Sequence, residues 1–374
     1  MAPGGETGNN FVRSMDRSLH ILGSRHFGGA DRFYVRLVQA LHADGQSVVA
    51  VNPRNSPVAE ALRPDGIAQV HLPLANSYDL WSLWRIRKLA AAAEPCIVQT
   101  YMSRATRLTR LPPHSGIVHI ARLGGFYRID GYFRHAHAWV GNTLGICDYL
   151  VKSGLPADRI FQIGNFVPKT PLPTPEERRA LREKHGIPGE ACVLFALGRL
   201  IKKKGFDDLL RAAVSLPLET SGQPILLLIA GAGPEEKNLR ALTDDLGLGA
   251  RVRWLGWQNP EEFYALSDVF VCPSRHEPLG NVILEAWNYG LPVVSTATDG
   301  ARELIEDEVS GLLAESGDTE ALAARLKTVI AAPLEARAGM GAAGRAFLLR
   351  RFSPAAILDA YLTLYRTLLA ERGV

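Results

Sequence analysis

Residues 273–300 read PSRHEPLGNVILEAWNYGLPVVSTATDG. A loop with proline and serine runs into an apolar helix pattern and then into a short apolar strand. Two carboxylates, Glu277 and Glu285, stand eight positions apart, the first in the loop and the second in the helix. Between them Leu279, Gly280 and Asn281 form the turn into the helix. A helix that starts near Asn281 aims its free backbone N–H groups and its positive dipole end at that turn. This makes an anion site, and phosphate is its usual guest. Gly280 lets the backbone approach a ligand closely. Carboxylates beside a phosphate would repel it, so these two are expected to hold sugar or ribose hydroxyls, because an ionised carboxylate only accepts hydrogen bonds. On the local pattern alone, a helix start with two solvated acids explains the residues equally well.

Working outward, the run CVLFALGRLIKKKGFDDLLRAA has a buried strand at 193–197, then Gly198 and Arg199, three lysines at 202–204, and Gly205 before a helix. Basic residues at the carboxyl end of a strand, beside a helix start, suit a diphosphate. The next run, PILLLIAGAGPEEKNL, mimics a dinucleotide-binding fingerprint, but Glu236 stands where the third glycine belongs, so no NAD site is expected. Asp207 with Asp208 and Asp244 with Asp245 lie on helices, and no metal site is expected.

In the N-terminal half, strand-like runs at 18–22, 48–51, 69–72, 97–100, 117–121 and 138–141 alternate with helix-like runs. That alternation predicts an α/β fold with a parallel sheet covered by helices. The first strand leads through Gly28 and Gly29 into a helix over 30–43, which is the opening of a Rossmann-type unit. An ordinary strand-to-helix turn fits the same residues. Trp81 and Trp84 lie beside Arg85, Arg87 and Lys88, a combination that suits an anionic membrane surface. The preferred reading of that segment is a surface helix with its tryptophans packed inward. Arg104, Arg107 and Arg110 recur every three residues and predict a slowly drifting basic stripe.

The chain has 374 residues, enough for two domains. Residues 1–168 carry 18 Lys/Arg against 11 Asp/Glu, and the remainder 24 against 27. A basic N-terminal half favours an acidic surface or acceptor on that side, and no nucleic-acid motif accompanies it. Cys96, Cys147, Cys192 and Cys272 form no CxxC pair and read as reduced thiols of a cytoplasmic protein. Residues 1–16 read as a polar tail without a secretory signal, and no apolar run is long enough to span a bilayer. Prolines at 168–173 mark a linker, so the expected domains are 1–168, joined by the helix 354–374, and 169–353. That last helix begins with Ser353 as N-cap and Pro354 at its first position.

The form E-P-L-G-x-x-x-x-E-A followed by G-L-P-V-V resembles the Glu-x7-Glu signature of retaining glycosyltransferases with the GT-B fold, above all family 4. The spacing Gly-Arg-x-x-x-x-Lys-Gly at 198–205 and the G-x-G-P turn at 231–234 resemble the same family. The resemblance implies two Rossmann-like, doubly wound domains facing a cleft, with the last helix crossing back to the first domain. It implies transfer of a hexose-type sugar from a nucleotide diphosphate sugar to a glycan or lipid-linked acceptor, without a metal or bound cofactor. Arg199, Lys204 and the amides of 279–281 would stabilise the diphosphate, with Gly198 beside them. Glu285 would hold the ribose and Glu277 the donor sugar. Backbone near 255–257 would contact the base. Gly28 and Gly29 would face the donor phosphate and the acceptor. Arg122 stands where many members carry a cleft histidine, with His119 three residues earlier; it would suit an anion-facing loop or a pairing with a nearby acid. Glu303 would sit behind a glycine-containing turn at the cleft. Assembly of bacterial lipopolysaccharide or exopolysaccharide, at the cytoplasmic face of a membrane touched by the N-terminal domain, is the biological expectation.

Overall fold

The computed structural model describes residues 17–25, 27–92, 97–112 and 115–372. The tail expected at 1–16 and Cys96 lie outside them. The first half contains β1 (Ser18–Leu22), α1 (Gly29–Ala43), β2 (Val48–Asn52), α2 (Pro57–Leu62), β3 (Ala68–His71), α3 (Leu80–Ala91), β4 (Ile97–Tyr101), α4 (Met102–Leu108), β5 (Val118–Leu123), β6 (Ala138–Gly141), α5 (Leu144–Lys152) and β7 (Ile160–Gln162). The strands form one sheet in the order β3-β2-β1-β4-β5-β6-β7. From β3 to β5 the pairing is parallel, with Ser18 in register with Val48 on one side and Ile97 on the other. β1, β4 and β5 are buried along their whole length. Helices cover a parallel sheet on both faces, so such strands read as apolar runs rather than alternating ones.

The second half contains α6 (Pro175–Lys184), β8 (Cys192–Leu197), α7 (Phe206–Val214), β9 (Glu219–Thr220), β10 (Gln223–Ala230), α8 (Glu236–Asp245), β11 (Val252–Gly256), α9 (Glu261–Leu266), β12 (Val269–Cys272), α10 (Asn281–Asn288), β13 (Val293–Thr296), α11 (Asp299–Leu304), β14 (Leu312–Ala314), α12 (Thr319–Ala331), α13 (Leu334–Arg351) and α14 (Pro354–Ala370). The main sheet runs β11-β10-β8-β12-β13-β14, and β9 adds a short antiparallel pair to β10. Its core holds Leu194, Ala196, Leu209, Leu227, Ile229, Val271 and Val294 under Leu322 and Leu326 of α12. Helix starts follow the local chemistry. Thr174 and Glu177 form a capping box on α6, and Thr298, Asp318 and Ser353 each accept a backbone N–H at the start of their helices.

The chain forms two compact units. One takes residues up to 140, 153–161 and those from 361 onward; the other takes 141–152 and 162–360. The last part of α14 thus belongs to the first unit, as expected of the final helix. Its Tyr361 and Tyr365 are fully buried there, and the Tyr365 hydroxyl donates to Gln99 Oε1 at 2.6 Å. The proline-rich segment 168–173 lies within the second unit. Asn288 Nδ2 donates to the Pro168 carbonyl at 2.8 Å, and Arg345 Nη2 donates to the Thr170 carbonyl at 2.7 Å. Of the thiols, Cys192 and Cys272 are buried and Cys147 partly so, all three free.

Candidate active site

In the second sheet the chain leaves β8 toward β10 on one side and returns to β12 on the other. The crevice outside the carboxyl ends of β8 and β12 is therefore a topological switch point, where open α/β sheets bind ligands. Two sequence motifs open onto it: residues 198–205 after β8 and residues 273–280 after β12. Backbone bonds stitch them together. The N–H groups of Arg275 and His276 donate to the Lys203 carbonyl at 2.9 and 3.2 Å. The Arg275 guanidinium reaches the Lys202 carbonyl at 2.9 Å, Asp207 at 2.7 Å and Asp208 at 2.6 Å. The aspartates of α7 thus hold the loop that carries Glu277.

Lys202 and Lys203 are exposed, as is Arg199. Lys204 is different. Its side chain is 18% exposed and forms an ion pair with Glu277, itself 16% exposed. Burial works to lower the Lys204 pKa, but the Glu277 carboxylate outweighs it, and the pKa is raised. The lysine stays charged at the mouth of the crevice.

α10 starts at Asn281 with Gly280 as N-cap at φ +81°, a left-handed conformation that glycine adopts without strain. No side chain caps this helix, so its first amides face the crevice unclaimed by the chain's own polar groups. Leu279 is buried against Gly300, where an added Cβ would lie 2.5 Å from the Leu279 carbonyl carbon. The Gly300 N–H donates to the Glu277 carbonyl at 3.0 Å. The Glu277 backbone is thus fixed from α11 and its side chain from the lysine loop. One turn into α10, Glu285 accepts the Tyr264 hydroxyl at 3.2 Å. The 231–234 turn closes on 198–200: Leu200 N donates to Ala232 O at 3.0 Å and Glu235 N to Leu200 O at 3.1 Å. Gly198, Arg199, Lys204, Glu277, Leu279, Gly280, Asn281 and Glu285 therefore all lie on the carboxyl side of one sheet.

Three contributors to this site escaped the sequence reading. Asn165 Nδ2 donates to Asn281 Oδ1 at 2.6 Å, Tyr264 holds Glu285, and Arg275 anchors the loop. Only Arg275 left a signal, as a cation next to Glu277. Glu303 accepts Leu144 N at 2.8 Å and Gln162 Nε2 at 2.5 Å, so its carboxylate clamps α5 and β7, and burial raises its pKa.

The first unit treats its polar residues otherwise. Gly28 is the N-cap of α1, and its N–H already receives the chain's own Asp31 Oδ2 at 2.8 Å. Arg122 does not face a loop. It is 2% exposed on β5, with its guanidinium 3.7 Å from the Phe33 ring centroid and its Nε donating to Tyr361 Oη at 2.9 Å. His119 is buried too, with Nε2 2.9 Å from Thr100 Oγ1, and burial holds its pKa well below the usual histidine value. The expected arginine stripe dissolves: α4 ends at Leu108, and Arg104, Arg107 and Arg110 donate to carbonyls of Gly23, Leu74, Ser77 and Gly131. Trp81 and Trp84 are 53% and 48% exposed, which overturns the inward packing expected of them. At this sheet's own switch point, between β1 and β4, an open cavity of about 340 Å³ is lined by Gly23, Arg25, Tyr101, Met102, Arg104 and Tyr127.

Two Rossmann-like units, one with a cationic crevice at its switch point, define the GT-B class, and solved structures agree. HepE of Anabaena, crystallised with UDP and glucose, matches with a TM-score of 0.81 and 20% identity over 94% of this chain and 100% of that one. A lipopolysaccharide outer core galactosyltransferase, WaaB, matches with a TM-score of 0.70 and 18% identity over 93% and 98%. The profile of the family described as glycosyl transferases group 1 matches residues 177–347. The lipopolysaccharide core biosynthesis glycosyltransferase LpsE of Rhizobium meliloti (strain 1021) is 33% identical over 91% of this chain and 97% of its own length. LpsD of the same organism is 33% identical over 93% and 97%. The chain belongs to the glycosyl transferases group 1 family, in keeping with the likeness to family 4 in its motifs.

Proposed function

We propose that the protein transfers a hexose-type sugar from a nucleotide diphosphate sugar to a glycan or lipid-linked acceptor in lipopolysaccharide synthesis, with retention and without a metal. The observation that carries this reading is the Lys204–Glu277 pair beside the uncapped start of α10. As the bond from the anomeric carbon to the diphosphate oxygen breaks, negative charge grows on the diphosphate. Lys204, Arg199 and the amides of 279–281 stabilise it where it develops. The acceptor hydroxyl attacks on the face the diphosphate leaves, and its proton passes to the departing phosphate oxygen. Glu277 orients the donor sugar through its hydroxyls, and Glu285 holds the ribose. Gly198 lets the donor backbone close in, and Gly28 and Gly29 serve the acceptor side. The names of LpsE and LpsD, alike over nearly their whole lengths, support the lipopolysaccharide assignment.

The test begins with thermal shifts against UDP, GDP, ADP and their sugars, since a ligand of the folded state raises its apparent stability. Product made with the stabilising donor is then examined by NMR, with and without EDTA. An α-linked donor giving an α-linked product, unaffected by EDTA, supports the reading. An inverted product, or donor binding without hydrolysis or transfer across a panel of acceptors, overturns it.

A further inference from the structure

α3 turns two unlike faces outward and inward. Ser82, Ile86 and Ala90, four apart, are buried. On the opposite side Leu80 is 75% exposed, with Trp81 and Trp84 beside it, and Tyr78 just before the helix is 70% exposed. Single exposed apolar residues are ordinary, but four large ones within seven positions form a patch. Cations lie over its rings. Lys88 Nζ is 4.1 Å from the Trp84 centroid, and the Arg85 guanidinium 6.0 Å from Trp81. Arg107 lies 4.3 Å from Tyr78 and 4.9 Å from Tyr132, held there by the carbonyls of Ser77 and Gly131. Arg87 is exposed on the same helix. Between residues 76 and 92 the one acid is Asp79, and it is engaged: it caps α3 through Ser82 N at 3.0 Å and accepts Ala75 N at 3.1 Å.

We infer that this face of α3, with Tyr78, docks the protein laterally on an anionic lipid bilayer. Indole and phenol rings favour the boundary between acyl chains and headgroups, and the cations over them would meet lipid phosphates at that depth. Charge complementarity selects this occupant. A second copy docking the same face by twofold symmetry would bring Arg85, Arg87 and Lys88 against their own kind, with no free acid to answer them. No helix among the described residues is long and apolar enough to cross a membrane, so attachment would be through the surface. The inference goes beyond the transferase reading and is tested apart from it, because vesicle binding is measured without nucleotide.

Flotation with vesicles of phosphatidylcholine alone and with about 30% phosphatidylglycerol reads the docking directly. The wild type is expected to float with the anionic vesicles only, to lose binding several-fold as salt rises, and to have its tryptophan emission quenched by brominated acyl chains. Trp81→Ala/Trp84→Ala should lower the bound fraction at least tenfold and leave the melting temperature and nucleotide-sugar turnover in solution unchanged. If that variant melts early, the exposed charge reversal Arg87→Glu/Lys88→Glu reads the same surface and should abolish flotation. A wild type that stays with the soluble fraction, or variants that float as it does, would refute the docking. Sedimentation showing a wild-type dimer that the tryptophan variant loses would assign the face to a second copy instead.

Discussion

The carboxyl edges of the two sheets have the same topology but use charge in opposite ways. In the second unit the cations at the edge, Arg199 and Lys202 to Lys204, are exposed or meet one carboxylate at the crevice mouth. In the first unit the comparable cations are spent on the fold. Arg104 reaches two carbonyls at 2.9 and 3.0 Å, and Arg122 lies under α14 against a tyrosine hydroxyl. Even the helix start at Gly28 is served by an internal carboxylate, while the start of α10 has none. A charged residue at a strand end thus points to ligand chemistry only when the chain has left it without a structural task.

Substitutions should separate the two edges. The largest effect is expected at Lys204. Lys204→Ala removes a charge from the developing diphosphate and leaves Glu277 without its partner, so transfer should fall by about 10²–10³-fold, or about 3–4 kcal/mol. Donor affinity should weaken as well. Glu277→Ala should lose transfer comparably while keeping nucleotide binding in a thermal-shift assay. Full activity in both would place the chemistry elsewhere. Next comes Arg122→Met. Here the expected loss is stability, about 2–3 kcal/mol by urea unfolding, because Tyr361 Oη loses a buried donor and Phe33 its cation. The KM for donor should stay as in the wild type; a rise would return Arg122 to the site.

The first unit should also respond to pH. Burial pushes the pKa of His20 down to about 3 and that of His137 down to about 4. His137 Nδ1 accepts the His119 N–H at 2.9 Å, a bond only the unprotonated nitrogen can make. The unfolded chain takes up protons near pH 6.5 that the folded chain refuses, so stability is full above that value and falls as pH drops toward the folded pKa values. Each such group contributes up to about 1.4 kcal/mol per pH unit within its window. The melting temperature should fall between pH 7.5 and 5.5, before most carboxylates titrate, and His137→Gln should flatten part of the slope. An unchanged slope would mean that His137 is protonated in the folded state.

The same contrast explains what could be read from the sequence. The order of strands and helices was legible almost residue by residue, because apolar runs between turn residues mark buried parallel strands. The donor edge was legible because its motifs are backbone requirements at fixed offsets: a glycine at Gly280, a cation at Lys204, a glycine at Gly231. The first unit's edge was not. β5 is buried on both faces, so no alternation reveals that Arg122 points inward. On α3 the buried face consists of Ser82, Ile86 and Ala90, so a rule that packs the largest apolar residues inward chooses the wrong side. Asn165 and Tyr264 meet their partners across 116 and 21 positions, and no local pattern carries that information.

Tyr264 offers the finest test, because it acts on the donor edge only through Glu285. Its ring is buried and stacks on Tyr289 at 5.5 Å between centroids, while its hydroxyl donates to Glu285 Oε2. Tyr264→Phe keeps the ring and deletes the donor. Glu285 then keeps its place on α10 but gains rotamer freedom, and the ribose hydroxyls would have to fix it on binding. The expected cost is one hydrogen bond to a charged acceptor in a half-exposed setting, about 0.5–1 kcal/mol, or a two- to fivefold rise in the KM for donor with little change in kcat. Glu285→Ala should raise the KM further, and in that background Tyr264→Phe should add nothing. If the two losses add, the tyrosine supports the packing around Tyr289 and not the carboxylate, and Glu285 takes its position from the helix alone.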